Sequence, residues 1–313
     1  MKSRRSWHAL PTIGLAAGVL CLLAGLVGLG DRAAEPSRAA AVAVSSLTEL
    51  LALPNEELGQ VDIARMNLLC ARELPGSEDL NVENAMGTLD RMAARVREET
   101  ERHWYRFQRN PGEYEDSAGF FRMLMLAVVL GEDFGVEYVA GKRGTAAQAY
   151  QGDGFFADSR DVFLHGLTGS KPAGTCSSLP VLQVAVGRRL GYPLKLVTTK
   201  GHLFVRWEGK GERFNVETTG RGVNRYSDEY YLRWPMEVSE MEVQEQGYLR
   251  TLEPAGELAV FLSIRGMCWL ERGQYAEAGE SFRAAAMLAP NCQEYGFMQS
   301  EMERRGKGMA RAE

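Results

Sequence analysis

The sequence predicts an α+β fold. A helical N-terminal region packs on a core of one helix and an antiparallel sheet, and a helical hairpin closes the chain. Three observations carry this expectation. Residues 46–138 place apolar side chains at helical spacing, and residues 194–219 switch to a period of two with glycine at the breaks. From about residue 236 the spacing becomes helical again, with small residues interleaved with aromatic ones.

Bulk properties set the outer bounds. A length of 313 residues allows one large or two ordinary domains. A content of 45% hydrophobic and 25% charged residues is that of a globular protein. The net charge of −5 and the absence of a basic stripe give no reason to expect a nucleic-acid partner. Five cysteines, at positions 21, 70, 176, 268 and 292, are too few and too scattered for a disulfide framework or a paired-cysteine zinc site.

Lys2, Arg4 and Arg5 precede an apolar run over residues 9–30 that Asp31 and Arg32 close. This is the layout of an export signal, and its length is close to the roughly 20 residues that span a bilayer. Two readings stay open: an uncleaved signal anchor, or a signal peptide cut near Ala41-Val42-Ala43. With an anchor, residues 1–8 stay in the cytoplasm and everything after Asp31 lies outside it, a single-pass membrane protein. With a cleaved signal the product is periplasmic or secreted. Residues 31–45 are small, polar and patternless, which predicts a linker.

Ser46 and Glu49 form a capping-box pattern that opens a short helix ending near Pro54. A second helix is expected over about 61–73. The third is long and capped by Asn81, with Val82, Met86, Leu89, Ala93 and Val96 on one stripe. Residues 120–130, FFRMLMLAVVL, are apolar nearly all round and predict a buried helix. The Gly-rich stretch 139–160 reads as a loop over the site, and the core is expected over 139–235. A helix is expected from Cys176 until Gly191 and Pro193 stop it, with Pro180 tolerated near its first turn. Strands then follow over 194–199, 202–208 and 213–219, joined by hairpins.

In the tail (236–313), Leu262, Gly266, Trp269, Gly273, Tyr275, Ala278, Phe282, Ala285 and Pro290 resemble the spacing of a tetratricopeptide repeat. A single such unit must pack on flanking helices, expected over 238–250 and 292–305.

The stretch GTCSS, residues 174–178, raises the question of chemistry. A cysteine nucleophile needs a lowered pKa, which a helix start and a nearby imidazole both supply. The opposing reading is that cysteine is among the most buried residue types and simply fills space, as Cys70 and Cys268 are expected to do. Four histidines are present. His8 precedes the apolar run, His103 sits in the charged long helix, and His165 lies ahead of Cys176. His202 opens a strand and is the natural base.

If Lys210-Gly211 is a two-residue turn, His202 faces Thr219, and Glu217 lies opposite Phe204, diagonal to His202 on the same face. Diagonal neighbours are roughly 7–8 Å apart, within side-chain reach. Glu217 is therefore placed to orient the imidazole, and Asn215 on the same face is the alternative third member. A metal site from Cys176, His165 and His202 has no supporting HExxH or CxxC spacing, so neither metal nor cofactor is expected.

Taken together, GTCSSLPVLQVAVGRRLGYPLKLVTTKGHLFVRW and FNVETTG resemble the core of the transglutaminase-like superfamily, the papain-related Cys-His-Asp fold. NVENAMGTLDRMAARV, MLMLAVVLGEDFGVEY, RRLGYP and GHLFVR are similar to the SirB-type branch, over roughly residues 55–290. The resemblance implies Cys176 as nucleophile, His202 as base and Glu217 where the family usually carries aspartate. It implies cysteine-dependent amide hydrolysis or acyl transfer on a protein or peptide. Because many SirB-type members lack the cysteine, it also implies the alternative of a non-catalytic protein-binding scaffold built on the old cleft and the tetratricopeptide unit.

Overall fold

The computed structural model describes residues 42–142, 154–209, 211–220 and 222–309, which build an α+β architecture. The apolar run at 9–30 and most of the expected linker lie outside the described residues. Among the described residues no helix is long and apolar enough to cross a membrane. The last residues of the expected linker already belong to the core: Val44 is buried, and Arg72 holds the Ser45 carbonyl at 2.9 Å.

Helix α1 (Leu47–Leu51) is capped by the Ser46 hydroxyl, which accepts from the Glu49 N–H. Glu49 reaches back to Ser45 N rather than Ser46 N, so the expected capping box is displaced by one residue. Helix α2 (Ile63–Ala71) starts where Asp62 accepts from Ala64 N and is buried along almost its whole length. Helix α3 (Val82–Arg109) is capped by Asn81 and buries Val82, Leu89, Ala93 and Val96 as the spacing predicts. Met86 from the same stripe stays half-buried, against the Arg189 guanidinium.

Helix α4 (Ala118–Val128) is less enclosed than its composition predicts. Phe121, Met123 and Leu126 are buried, but Val128 is exposed. The helix packs chiefly on α3, and Gly119 marks where it touches the sheet. A β-carbon there would fall 2.7 Å from the Trp207 ring.

Strand β1 (Glu137–Tyr138) pairs in parallel with β2 (Ala173–Gly174), with α5 (Ser159–Val162) between them in sequence. Helix α6 (Leu179–Arg189) follows, buried through Leu179, Val181, Leu182, Val184 and Val186. The antiparallel sheet is β3 (Leu194–Thr199), β4 (His202–Gly209) and β5 (Glu212–Val216), in that order. Leu194, Leu196, Leu203, Val205 and Trp207 enter the main core. Val197 and Phe204 pack instead on Tyr231 of α7 (Asp228–Tyr231).

The tail is fused to this core. Residues 249–252 run along β3, with Leu249 N bonding Thr198 O and Leu252 N bonding Leu196 O, both at 2.9 Å. Helix α8 (Glu240–Gln246) precedes this segment. Helix α9 (Pro254–Glu271) packs on α2, and its fully buried Glu257 pairs with Arg188 of α6. Helix α10 (Tyr275–Leu288) folds back on α9, and α11 (Gln293–Met309) packs on α10. The hairpin closes where Gly266 meets Phe282, whose ring atoms lie 2.8–3.0 Å from a β-carbon built at Gly266.

This contact yields a test. Gly266→Ala should destabilise the fold by about 1–3 kcal/mol through overpacking. Shrinking the opposing ring with Phe282→Leu in the double variant should recover part of that loss. Urea unfolding of the four proteins reads the coupling, and strictly additive losses would show that the two side chains do not clash.

Candidate active site

The GTCSS segment is a locked turn. Thr175 Oγ1 and Ser178 Oγ both donate to the Asp161 carbonyl, at 3.0 and 2.9 Å. Thr175 N donates to Ser178 Oγ at 3.1 Å. Glycine is required at 174, because a β-carbon there would sit 2.4 Å from that same hydroxyl. Gly174, Thr175 and Ser178 thus build the turn, and Cys176 is the residue it presents.

The helix begins three residues later than the spacing predicts, at Leu179, with Ser178 as N-cap and Pro180 in the first turn. The physical reason is that Pro180 has no N–H to donate to the Cys176 carbonyl, so the ladder runs on only from Ser178 O, which accepts from Leu182 N. Cys176 therefore stands ahead of the helix rather than at its first residue. It is largely buried and forms part of a cavity wall together with Ser177 and His202. Among the described residues its N–H has no hydrogen-bond partner.

His202 and Glu217 meet through the hairpin. The register is the one the Lys210-Gly211 turn implies, running from Gly209 opposite Glu212 to Val205 opposite Val216. The ladder stops there, and Glu217 bridges to Asn224 instead, its N–H donating to Asn224 O at 2.8 Å. The Glu217 side chain still spans the diagonal, with Oε2 2.8 Å from His202 Nε2. Its Oε1 accepts from Thr219 N and Thr219 Oγ1 at 2.9 and 2.6 Å. Tyr231 OH adds a bond of 3.3 Å to Oε2. Trp234 packs its edge on the imidazole at 4.7 Å between centroids, and Tyr231 lies parallel to it at 6.2 Å.

Burial pushes the His202 pKa down, but the Cys176 thiol and the Glu217 carboxylate outweigh it and raise the value to about 9. Burial likewise pushes Glu217 up, and its bonds to His202 and Thr219 overcome this, leaving its carboxyl below the usual value. With Nε2 held by Glu217, Nδ1 is the nitrogen left for the thiol. Burial raises Cys70 to about 12 and Cys292 to about 11, and it raises Cys268 as well.

The remaining candidates lie elsewhere. Asn215, the alternative third member, accepts from Arg206 Nε at 2.7 Å and donates to Tyr226 O and Asp228 at 3.0 and 2.7 Å. It shares the sheet face of His202 but serves the buried Arg206 guanidinium. His165 contacts Ser159 Oγ and Gly76 O, and burial lowers its pKa to about 4. His103 pairs with Glu99 on α3. Among the described residues no group of three or more His, Cys, Asp or Glu is placed to hold a metal ion.

Sequence reasoning missed Thr219, Tyr231 and Trp234 as the groups that hold the carboxylate and imidazole. Thr219 had a signal only in its position, two residues after Glu217 in ETTG and so close to it along the chain. No protein-family model, curated protein or solved structure matches the chain. The chemistry is therefore argued from the geometry.

His202 should titrate near 9 by NMR, and Glu217→Gln should lower that value by removing the carboxylate; an unchanged pKa would separate the two residues functionally. The pH dependence of stability follows. A folded pKa above the ordinary 6.5 means the charged imidazole stabilises fully below 6.5 and its contribution is lost as pH rises through about 9. Glu217, depressed below 4.5, contributes above that pH and loses its contribution on acidification. The pair should stabilise most between about 4.5 and 6.5, and urea midpoints of Glu217→Gln should lack this dependence.

Proposed function

We propose that the chain is a transglutaminase-like cysteine enzyme of the SirB type that hydrolyses an amide or transfers its acyl group to an amine. The observation that carries this reading is the buried His202–Glu217 bond of 2.8 Å in the protein whose Cys176 shares a cavity wall with that imidazole. The Cys176 sulfur attacks the amide carbonyl, and the S–C bond forms as negative charge develops on oxygen. The unpartnered Cys176 N–H is the donor assigned to that oxygen. Imidazolium then protonates the leaving nitrogen, the C–N bond breaks and a thioester remains. Water or an amine attacks the thioester, His202 takes the incoming proton and returns it to sulfur, and the cycle closes. In this reading residues 9–30 tether the enzyme to the membrane with its core outside the cytoplasm. The α9–α10 hairpin is its tetratricopeptide-type unit.

Cys176→Ala should abolish turnover of peptide amides and labelling by thiol-directed acyl probes. Glu217→Gln should leave the fold intact and cut activity by on the order of 10⁴-fold, through loss of the correct imidazole orientation. Glu217→Asp, which keeps the charge and matches the usual family residue, should retain far more. Equal activity in wild type and Cys176→Ala would overturn the enzyme reading in favour of a protein-binding scaffold.

Topology is tested separately. Protease added to intact spheroplasts should remove residues 42–309, whereas complete protection would place the core in the cytoplasm.

A further inference from the structure

The cavity at Cys176 is closed by the tail. One end carries Cys176, Ser177, Thr199 and His202. The other is built by Val260 and Ile264 of α9, Met267 beyond them, Phe282 of α10 and Met298 of α11. Phe155 and Phe156 complete the apolar wall from the 154–158 segment. No lysine or arginine lines it among the described residues. The cavity holds about 140 Å³, and an apolar cavity of roughly 150 Å³ holds a benzene-sized group. Gln246, Tyr248 and Glu294 form part of this cavity and also of an open groove along Lys200, Met236, Glu242 and Phe297. The cavity and the surface groove at α8 and α11 thus share wall residues.

We infer that the C-terminal helices are the specificity wall of the site: it takes peptide amides flanked by one bulky apolar side chain, leucine- to phenylalanine-sized, seated among Ile264, Met267, Phe282 and Met298. The inference rests on the proposed cysteine chemistry and names its substrate class. Size and chemistry both select. A glycine leaves the cavity unfilled. Among Ile264, Met267, Phe282 and Met298 a glutamine side chain, the amide of transglutaminase chemistry, meets no good hydrogen-bond partner, and an aspartate brings a charge to apolar side chains. One methylene more or less in an apolar pocket discriminates roughly 10–200-fold. The tail hairpin then has a task inside the enzyme, independent of any protein it docks.

The test uses the full chain and peptidyl chloromethyl ketones, in which an S–C bond replaces C–Cl and chloride leaves. Two series vary the residue at the ketone and the residue before it, each through Gly, Leu, Phe, Gln and Asp. In at least one series Leu or Phe should modify Cys176 ten-fold or more faster than Gly, Gln or Asp, with the site assigned by peptide mass spectrometry. Met267→Trp, which fills the cavity, should erase that preference. Ile264→Ala, which enlarges it, should move the preference from Leu toward a Trp probe. A flat ranking in both wild-type series, or a preference for Gln or Asp, overturns the inference, as does a preference that survives Met267→Trp. Iodoacetamide on the wild type separates the two levels. Rapid Cys176 alkylation with a flat peptide ranking sinks the substrate class alone, whereas a Cys176 that iodoacetamide leaves unmodified overturns the cysteine reading and this inference with it.

Discussion

A charged imidazole in a protein interior stands only if a carboxylate reaches it, and the carboxylate stands only if its own oxygens are satisfied. The His202 and Glu217 side chains are 1% and 6% exposed, so neither has water to fall back on. An isolated buried ion costs several kcal/mol even after relaxation. The arrangement answers this in steps. Thr219 fills one carboxylate oxygen, while His202 and Tyr231 fill the other. Tyr231 is held in turn, since Thr199, the ladder partner of His202, donates to the Tyr231 carbonyl at 2.8 Å. The site is thus one hydrogen-bonded unit made from the sheet and the segment that follows it.

The same accounting fixes the tail. Arg206, buried on the face of His202, is satisfied by Asn215 and Asp228 and by the Leu249 carbonyl at 2.9 Å. It therefore ties the sheet to both α7 and the chain that leads into α9. On the other side of the sheet, Arg188 and the fully buried Glu257 join α6 to α9. Removing one partner of such a pair strands a buried charge at a cost of about 3–5 kcal/mol. These two guanidinium groups hold the tail helices in one position against the core, and that position gives the cavity its apolar wall.

How much of this was legible follows from the range of each interaction. The His202–Glu217 diagonal was readable because the pairing of Gly209 with Glu212 sets the register of the whole hairpin. The capping of α3 by Asn81 and the Gly266–Phe282 crossing were readable for the same reason, each being a local or fixed-spacing signal. The start of α6 was misplaced because Pro180 was taken as tolerated near the first turn, whereas its missing N–H leaves the Cys176 carbonyl without a helical donor. Asn215 shared the right face, but nothing local said that a buried Arg206 would claim it. The exposed side of α4 depends on how α4 packs against α3, and the cavity wall comes from residues 260–298, far along the chain from Cys176. Both are long-range packing facts that composition does not encode.

The last consideration is what such a pair contributes if it does no chemistry. Stability alone gives weak grounds for it, since replacing a buried ion pair by well-packed apolar residues is often neutral or favourable by about 1–4 kcal/mol. Here the alternative packing is close at hand: Tyr231 and Trp234 already flank the imidazole, and Phe204 stacks on Tyr231. A protein that only needed to fill this space could extend that cluster. Instead, burial that opposes both charges is overcome by a specific set of donors, and the imidazole is held beside a thiol at the polar end of an apolar cavity. Perturbed titration with a charge partner inside a cleft is the pattern of groups poised for proton transfer. On the proposed cysteine chemistry, the charged His202 next to Cys176 is the proton donor that the cavity and the tail helices alone would not supply.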